Sequence, residues 1–357
     1  MKKRRLKKII RALIALIAII LIAIFASLKK DKPSENETNK LNYSKENIEI
    51  INKDVSSKNQ QYLLNKKIKE KDVMPIIKET YYIDDYLQSY LEYQKNNPNK
   101  STKEIITAVN THIDKPFYTN TMKTDTNIGQ FVILNKYYYA DKDYHAEDLI
   151  EIDSIYSLYG STYKIELSKD CFEAFLKMYN DAKELGYGFK INSAYRSYEK
   201  QETIYNRYVQ NDGQKQADTY SARPGYSEHQ TGYAFDIRDY PYTNEDYSKT
   251  KSFTWVSKNA YKYGFILRFP EGKEHITGYQ YESWHYRYCG IECATYIHNH
   301  DLTFEEYYEY FIKYNNPRNL KDWFTSVFFY YQKWLITHLI STISNPSFKY
   351  EQYNYNP

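Results

Sequence analysis

The segment 224–237, with the sequence PGYSEHQTGYAFDI, constrains this chain more than any other stretch. It places His229 and Asp236 seven residues apart, and glycines around the histidine allow the backbone to turn tightly. Asp236 lies between apolar residues, where an unpaired carboxylate is costly to bury. The segment therefore predicts that Asp236 has a partner. A bound metal ion is one interpretation, and a salt bridge with Arg238 or Arg268 is the alternative.

A second segment, ESWHYRY at 282–288, supplies Glu282 and His285. Together the two segments hold two imidazoles, one carboxylate of the type that binds metals and one further carboxylate. A hydrolytic zinc site uses three protein ligands, an open position for water and a carboxylate that takes a proton from that water. The two segments therefore predict a metal-dependent hydrolase.

The N-terminus has the pattern of a membrane anchor. Residues 1–8 are strongly basic, and residues 9–28 are apolar apart from Arg11 and Ser27. About 20 apolar residues are enough to span a bilayer core. A cleaved signal peptide is the alternative, although its apolar region is usually shorter. Because the basic residues precede the apolar stretch, we expect a single-pass protein of the cell membrane with its catalytic domain outside the cell.

Charge and cysteine content indicate whether this protein binds nucleic acid and whether it forms disulfides. The formal net charge is +4, and much of this excess lies in residues 1–8. The rest of the chain has no basic stripe, so we expect no nucleic-acid partner. Three cysteines are an odd number and do not form a disulfide framework. We predict buried thiols, with a disulfide of Cys289 with Cys293 or of Cys171 as the alternative.

The chain divides into segments of different composition after the predicted anchor. Residues 29–60 are polar and predict a linker. Residues 61–115 carry apolar residues at helical spacing and predict a small helical prefix. The catalytic domain is predicted over 116–316. The aromatic tail 317–357 predicts either an interfacial amphipathic helix or a helix that packs on the domain.

Periodicity within the catalytic domain predicts both helices and strands. Helices are predicted at 168–185, 199–210, 255–263 and 303–314, and strands at 189–196, 265–269 and 284–288. Ser197 is the predicted cap of the second helix, and Thr303 with Glu306 has the pattern of a capping box at the fourth. Because these elements show no regular strand–helix–strand repeat, we predict an α+β domain with an antiparallel sheet flanked by helices.

Three motifs resemble those of a known family. They are Ser193-Ala194-Tyr195-Arg196-Ser197, the run from Gly225 to Asp236, and Glu282-Ser283-Trp284-His285. In this order they resemble the VanY-type D-alanyl-D-alanine carboxypeptidases, zinc peptidases that share a fold with VanX and the hedgehog N-terminal domain. The resemblance covers roughly residues 125–312. It implies a hedgehog/D,D-peptidase-like fold.

The resemblance also implies a role for each matching residue. The zinc ligands would be His229, Asp236 and His285. The catalytic residues would be Glu282, as general base and later acid, and Arg196, which would polarise the substrate. The substrate-binding residues would be Arg196, Gln201, Ser227 and Trp284.

The activity implied by the resemblance is removal of the C-terminal D-alanine from peptidoglycan stem peptides or their precursors. Water activated by zinc and deprotonated by Glu282 would attack the peptide bond. An L,D-carboxypeptidase acting on tetrapeptide stems is the alternative, because the motifs are shared. A catalytically silent cell-wall-binding module is a further alternative, against which the intact base argues. A cytoplasmic dipeptidase conflicts with the predicted anchor.

Overall fold

The computed structural model describes residues 39–314, which fall into two compact units divided between Ile106 and Thr107. The predicted anchor at 9–28 and the aromatic tail at 317–357 lie outside these residues. Among the helices of residues 39–314, none is both long and apolar enough to cross a membrane.

The N-terminal unit is helical. Helices α1 to α4 span Lys45–Asp54, Ser57–Lys66, Glu70–Ile77 and Leu87–Asn96. Helix α5, Thr102–Asn110, contains the division between the two units. The predicted linker at 29–60 was wrong in its second half, which forms α1 and the start of α2. The side chains of Ser44 and Ser56 cap these helices, and Ile51 is fully buried, so capping and burial outweigh the polar composition.

The second unit contains the remaining elements. Strands β1 to β8 are Met122–Lys123, Tyr138–Tyr139, Leu149–Glu151, Glu166–Ser168, Phe189–Ser193, Ala234–Asp239, Phe265–Leu267 and His285–Tyr288. Helices α6 to α12 are Lys169–Glu184, Tyr198–Asp212, Gln214–Tyr220, Lys251–Asn259, Glu274–Thr277, Ile291–His300 and Phe304–Tyr307. A π-helical segment, Tyr308–Lys313, follows α12.

This second unit begins at Thr107 rather than at the predicted residue 116. The reason is that residues after Thr107 bond to the C-terminal helical segment. The hydroxyl of Thr107 donates to Glu306 over 3.4 Å, and Nε2 of His112 lies 3.1 Å from a carboxylate oxygen of Glu309. Pairing between residues this far apart in the chain leaves no signal in the local sequence.

The main sheet contains four strands in the order β5-β6-β8-β7, and all three pairings are antiparallel. The predicted combination of helices with an antiparallel sheet is therefore confirmed. Two smaller sheets accompany it: β3 and β4 pair antiparallel, whereas β1 and β2 pair parallel. In the main sheet Asp236 lies opposite His285, and Arg238 lies opposite Lys190.

Alternation along β6 separates a core face from a site face of the sheet. Phe235 and Ile237 are fully buried, whereas Asp236 and Arg238 are half-buried. The core face packs on α6, where the ring of Phe175 lies 5.4 Å from that of Phe235. Burying each such side chain contributes about 1.5–3 kcal/mol. This packing fixes which residues of β6 face the opposite side.

Local signals predicted several element ends correctly. Ser197 caps α7, and Thr303 and Glu306 form a capping box at α12. Helices α8, α10 and α11 were not predicted. The cysteines are buried and free, which confirms the prediction of thiols; they are Cys171, Cys289 and Cys293.

Candidate metal centre and catalytic pocket

His229 lies in a short 3-10 turn, Glu228–Thr231, that directly precedes β6. Gly232 ends the turn with φ of +74°, and a Cβ atom there would meet Leu149 Cδ2 at 2.8 Å, so the position requires glycine. Nδ1 of His229 donates a hydrogen bond of 2.7 Å to the carbonyl of Ala194. This bond fixes the tautomer and leaves Nε2 as an acceptor. Nε2 is buried and has no hydrogen-bond partner in residues 39–314.

Asp236 and His285 complete the cluster from neighbouring strands. Nδ1 of His285 lies 3.0 Å from Oδ1 of Asp236, and Nε2 of His229 lies 3.5 Å from Oδ2. The three potential ligand atoms lie within 4.8 Å of one another, a spacing that one metal ion can bridge. The alternative salt bridge between Asp236 and Arg268 is not formed, because that arginine pairs with two other carboxylates.

The protonation of the three side chains suits a cation. Burial and the charge of Arg196 lower the pKa of His229 to about 4, which keeps the imidazole neutral. Burial alone would raise the pKa of Asp236, but the two histidines hold it well below its ordinary value. Burial opposes protonation of His285, yet hydrogen bonding to Asp236 and Glu228 raises its pKa to about 9. Metal binding releases such a proton, because a ligating nitrogen must be deprotonated.

Glu282 and Arg196 flank the cluster. Oε2 of Glu282 lies 3.7 Å from Nδ1 of His285, and burial raises the pKa of Glu282 to about 7. Arg196 follows β5 and donates a 2.9 Å hydrogen bond from Nη1 to Gln201. Its Nε is buried with no hydrogen-bond partner in the described part of the chain. The site therefore presents a carboxylate next to the potential ligands and a guanidinium with an unused donor.

One pocket of about 360 Å³ brings all of the predicted site residues together. They are Arg196, Gln201, Ser227, His229, Asp236, Glu282, Trp284 and His285. Gln201 also makes hydrogen bonds within the protein. Its oxygen accepts from Arg196, and its nitrogen donates to the carbonyl of Ala222 over 2.7 Å, so its amide positions the guanidinium. The predicted roles of all these residues in catalysis and substrate binding stay predictions.

The pocket also has an aromatic wall that was not predicted. Its members are Tyr208, Tyr220, Tyr226, Phe269, Tyr279 and Tyr281. Tyrosine is abundant throughout this chain, with 43 residues, so an individual tyrosine carried no signal of a place in the site.

A group of four buried charged side chains, here called the charged cluster, lies on the Nε2 side of His285. Its members are Glu228, Arg268, Arg287 and Glu305. Arg268 donates from Nε to Glu228 over 2.8 Å and from Nη1 to Glu305 over 2.9 Å. Nη1 of Arg287 lies 3.2 Å from Glu228. Oε2 of Glu228 lies 3.8 Å from Nε2 of His285, on the other side of the ring from Asp236.

The charged cluster was not predicted as part of the site. The sequence predicted Arg268 only as an alternative partner of Asp236. The position of Glu228, between Ser227 and His229 in the first motif, was the available signal. Although burial opposes ionisation, the two arginines lower the pKa of Glu228 to about 2. This residue is therefore a carboxylate held beside the potential metal ligands.

Comparison with known proteins connects this geometry to a family. The family model described as VanY, D-alanyl-D-alanine carboxypeptidase, matches residues 164–291, a range that contains all of the predicted site residues. YodJ of Bacillus subtilis (strain 168) is 37% identical over 225 residues, which cover 62% of this chain and 82% of YodJ. The chain belongs to the VanY family.

Other proteins similar to this VanY-family chain include a D-alanyl-D-alanine carboxypeptidase of Enterococcus faecium. It is 30% identical over 234 residues, which cover 64% of this chain and 73% of the relative. Among solved structures, that of the LdcB LD-carboxypeptidase is 40% identical, with a TM-score of 0.47. The match covers 50% of this chain and 85% of LdcB.

Membership of the VanY family confirms three predictions. The resemblance drawn from the motifs is correct, the chain is a carboxypeptidase of the family described as D-alanyl-D-alanine carboxypeptidase, and zinc is its cofactor. The donor set agrees with this cofactor, because two imidazoles and one carboxylate are a zinc ligand set. The buried and unpartnered Nε2 of His229 is the atom that such an ion would satisfy.

Proposed function

We propose that this VanY-family protein removes the C-terminal D-alanine from peptidoglycan stem peptides, acting as a D,D-carboxypeptidase. The observation that carries the proposal is the convergence of His229, Asp236 and His285 beside Glu282 in one pocket. A binding module has no need of a carboxylate placed 3.7 Å from a ligand-type imidazole nitrogen. The arrangement is therefore that of a hydrolase.

The residues that would hold zinc are His229 through Nε2, Asp236 through its carboxylate and His285 through Nδ1. The chemistry that a bound zinc ion supplies is Lewis acidity, which polarises a carbonyl oxygen and makes water more acidic. The hydrogen bond from Nδ1 of His229 to Ala194 orients the first ligand. Glu228 faces the remaining nitrogen of His285.

Proton transfer is assigned to Glu282. Its carboxylate would accept a proton from the attacking water and return it to the nitrogen of the departing D-alanine. No other carboxylate that lines the pocket is as free for this task, because Asp236 contacts both histidines and Glu228 is paired with arginines. Glu282 is assigned this role because its carboxylate lines the pocket beside His285.

Substrate binding is assigned to Arg196. A carboxypeptidase must recognise a free C-terminal carboxylate, and a guanidinium is suited to that geometry. Gln201 holds Nη1 of Arg196, and the partly exposed side chain of Arg196 lines the pocket in which the substrate would bind. Ser227 and Trp284 line the same pocket and would contact the peptide next to the cleaved bond.

Mass spectrometry of the purified protein with pentapeptide and tetrapeptide stems tests the proposal. We expect the pentapeptide to lose one alanine and the tetrapeptide to remain intact. Loss of alanine from the tetrapeptide alone would instead assign the L,D activity. A Glu282→Gln protein with full zinc content is the matched control and should release no alanine from either peptide.

We also propose that residues 9–28 anchor the enzyme in the cell membrane with the catalytic unit outside. The support is the apolar stretch, its length and the basic residues that precede it. The substrate agrees with this location, because peptidoglycan lies outside the membrane. Fractionation of cells that express the full chain or residues 29–357 tests the anchor. Only the full chain should remain with membranes after a carbonate wash.

A further inference from the structure

An open groove of about 640 Å³ lies beside the catalytic pocket. The residues that matter here are Tyr159, Asn192, Arg238, Tyr240, Tyr242 and Trp284. The three tyrosines are about half exposed, at 47%, 49% and 53%. The hydroxyl of Tyr159 donates to Asn192 over 2.8 Å, which ties one wall together. None of these side chains takes part in the chemistry described above except Trp284.

Trp284 joins the groove to the pocket, because its side chain lines both. The sheet gives a second connection. Arg238 lies two residues beyond Asp236 on β6, so both side chains are on the site face. A molecule held at the potential metal site can therefore continue along the same face of the sheet into the groove.

Two positive charges lie side by side at the groove, and one of them, Arg238, lines it. Lys190 on β5 is the register partner of Arg238 on β6. Like charges directly opposite one another across a sheet are destabilising. Within residues 39–314 neither cation forms a salt bridge. Nζ of Lys190 lies 4.0 Å from the ring centroid of Tyr240, and Cζ of Arg238 lies 5.7 Å from that of Tyr242.

Aromatic rings hold a cation in place without using up its N–H donors. The pair of cations is therefore positioned by tyrosines and still able to bind an anion. The groove and the catalytic pocket share the Trp284 side chain, so a molecule bound in the pocket can supply that anion.

We infer that this groove binds the part of the stem peptide on the N-terminal side of the cleaved bond, and that Arg238 and Lys190 pair with a carboxylate there. The inference rests on the proposed function. Two residues of β6 advance about 6.6 Å, and two residues of an extended peptide advance about the same distance. The carboxylate would thus belong to the second residue before the one that carries the cleaved carbonyl.

A matched pair of pentapeptides tests the inference. Both end in D-Ala-D-Ala and differ only at that second residue, which carries either a carboxylate or a carboxamide. A third substrate, an N-acetylated tripeptide ending in D-Ala-D-Ala, lacks that second residue. We expect the wild-type enzyme to prefer the carboxylate peptide over the carboxamide by about tenfold in kcat/KM, the effect of one charge-assisted hydrogen bond.

The preference should depend on the two cations. In the Arg238→Gln, Lys190→Gln double variant we expect the carboxylate peptide to fall to the level of the carboxamide, mainly through KM. The carboxamide peptide and the tripeptide should change by less than about twofold, because they do not engage the ion pair. Arg238→Lys should keep part of the preference. Lys177→Gln, which removes an exposed lysine on α6, is the matched control and should keep all of it.

Thermal unfolding shows whether each variant is folded, and elemental analysis shows whether it carries zinc. Equal losses on both pentapeptides, or a wild-type enzyme without preference, would overturn the inference. If the double variant lost activity only on peptidoglycan fragments that retain their sugar chains, the groove would bind the glycan. This result would also overturn the inference. A wild-type enzyme that cleaves none of the three peptides would instead refute the proposed function.

Discussion

The catalytic pocket and the charged cluster are both built from ionisable side chains that the fold removes from water, but they differ in how these groups are paired. In the cluster two arginines face two glutamates, and Arg268 binds both carboxylates. In the pocket, Nε2 of His229 and Nε of Arg196 have no partner in the described residues. A buried polar atom left unbonded costs about 1–3 kcal/mol. The cluster also contains unbonded atoms, Oε2 of Glu228 and Nη1 of Arg287, but each of its charges lies within 3.2 Å of an opposite charge. Arg196, in contrast, forms no salt bridge within residues 39–314. Neutralisation of charge, rather than burial, therefore separates the cluster from the functional site.

This difference predicts two classes of variant. Substitutions in the pocket should remove activity and leave the free energy of unfolding nearly unchanged, because the pocket contributes few internal bonds. Substitutions in the charged cluster should lower the free energy of unfolding, because they leave a partner buried without its counter-charge. The following experiments test this separation.

Removal of a zinc ligand should have the largest effect. We expect His229→Ala to lose its bound zinc and at least about 10⁴-fold in kcat/KM, since the ion supplies several kcal/mol of stabilisation. Elemental analysis of the purified protein measures the metal. His298→Ala, which removes an exposed histidine, is the control and should retain zinc. One zinc per protein in the His229 variant would refute the ligand set.

Glu282→Gln should lower kcat by about 10²–10⁴-fold, the contribution of a positioned general base. Zinc content should stay at the wild-type level, because the residue is not assigned as a ligand. Release of D-alanine measured beside elemental analysis separates the two roles. A variant that loses zinc and activity together would make Glu282 a ligand instead.

Arg268→Met should lower the free energy of unfolding by about 3–5 kcal/mol, because it leaves Glu228 and Glu305 buried without their shared counter-charge. Urea denaturation of the zinc-free proteins measures this change without a contribution from metal binding. Arg207→Met is the exposed control, with an expected change of less than about 0.5 kcal/mol. If Arg268→Met and Arg207→Met had the same free energy of unfolding, the charged cluster would not have the stabilising role that distinguishes it from the pocket.

Arg196→Lys should raise KM by about 10- to 100-fold, since lysine cannot reproduce the planar geometry of a guanidinium. The unfolding midpoint in urea should stay near that of the wild type. Peptides with a free or an amidated C-terminus show whether the terminal carboxylate is the group recognised. If the variant weakens both peptides equally, Arg196 does not bind that carboxylate.

The smallest effect is expected for Thr303→Ala. It removes the N-cap of α12, the helix that carries Glu305, and should lower the free energy of unfolding by about 1 kcal/mol. Thr303→Ser keeps the capping oxygen and should restore most of the loss. Activity at a temperature well below the unfolding transition should not change in either variant.

Local chemistry explains what could be predicted from the sequence. The zinc ligands and Glu282 lie in two short motifs. The turn that ends at Gly232 needs a positive φ angle, which glycine adopts readily. Ser197 and Thr303 mark helix starts because capping involves residues only two or three positions apart. In contrast, the polar composition of 29–60 concealed α1, whose stability depends on the burial of Ile51.

The sequence by itself determined the family, the ligand types and the ends of several helices, since each depends on residues that are close in the chain. Only the tertiary structure decided that Glu228 meets Arg268 and Arg287, and that Lys190 lies beside Arg238. These pairs are set by strand register and by packing on α6, which involve distant residues. The physical reason is that a carboxylate or a cation in a sequence does not reveal its partner until the sheet is assembled.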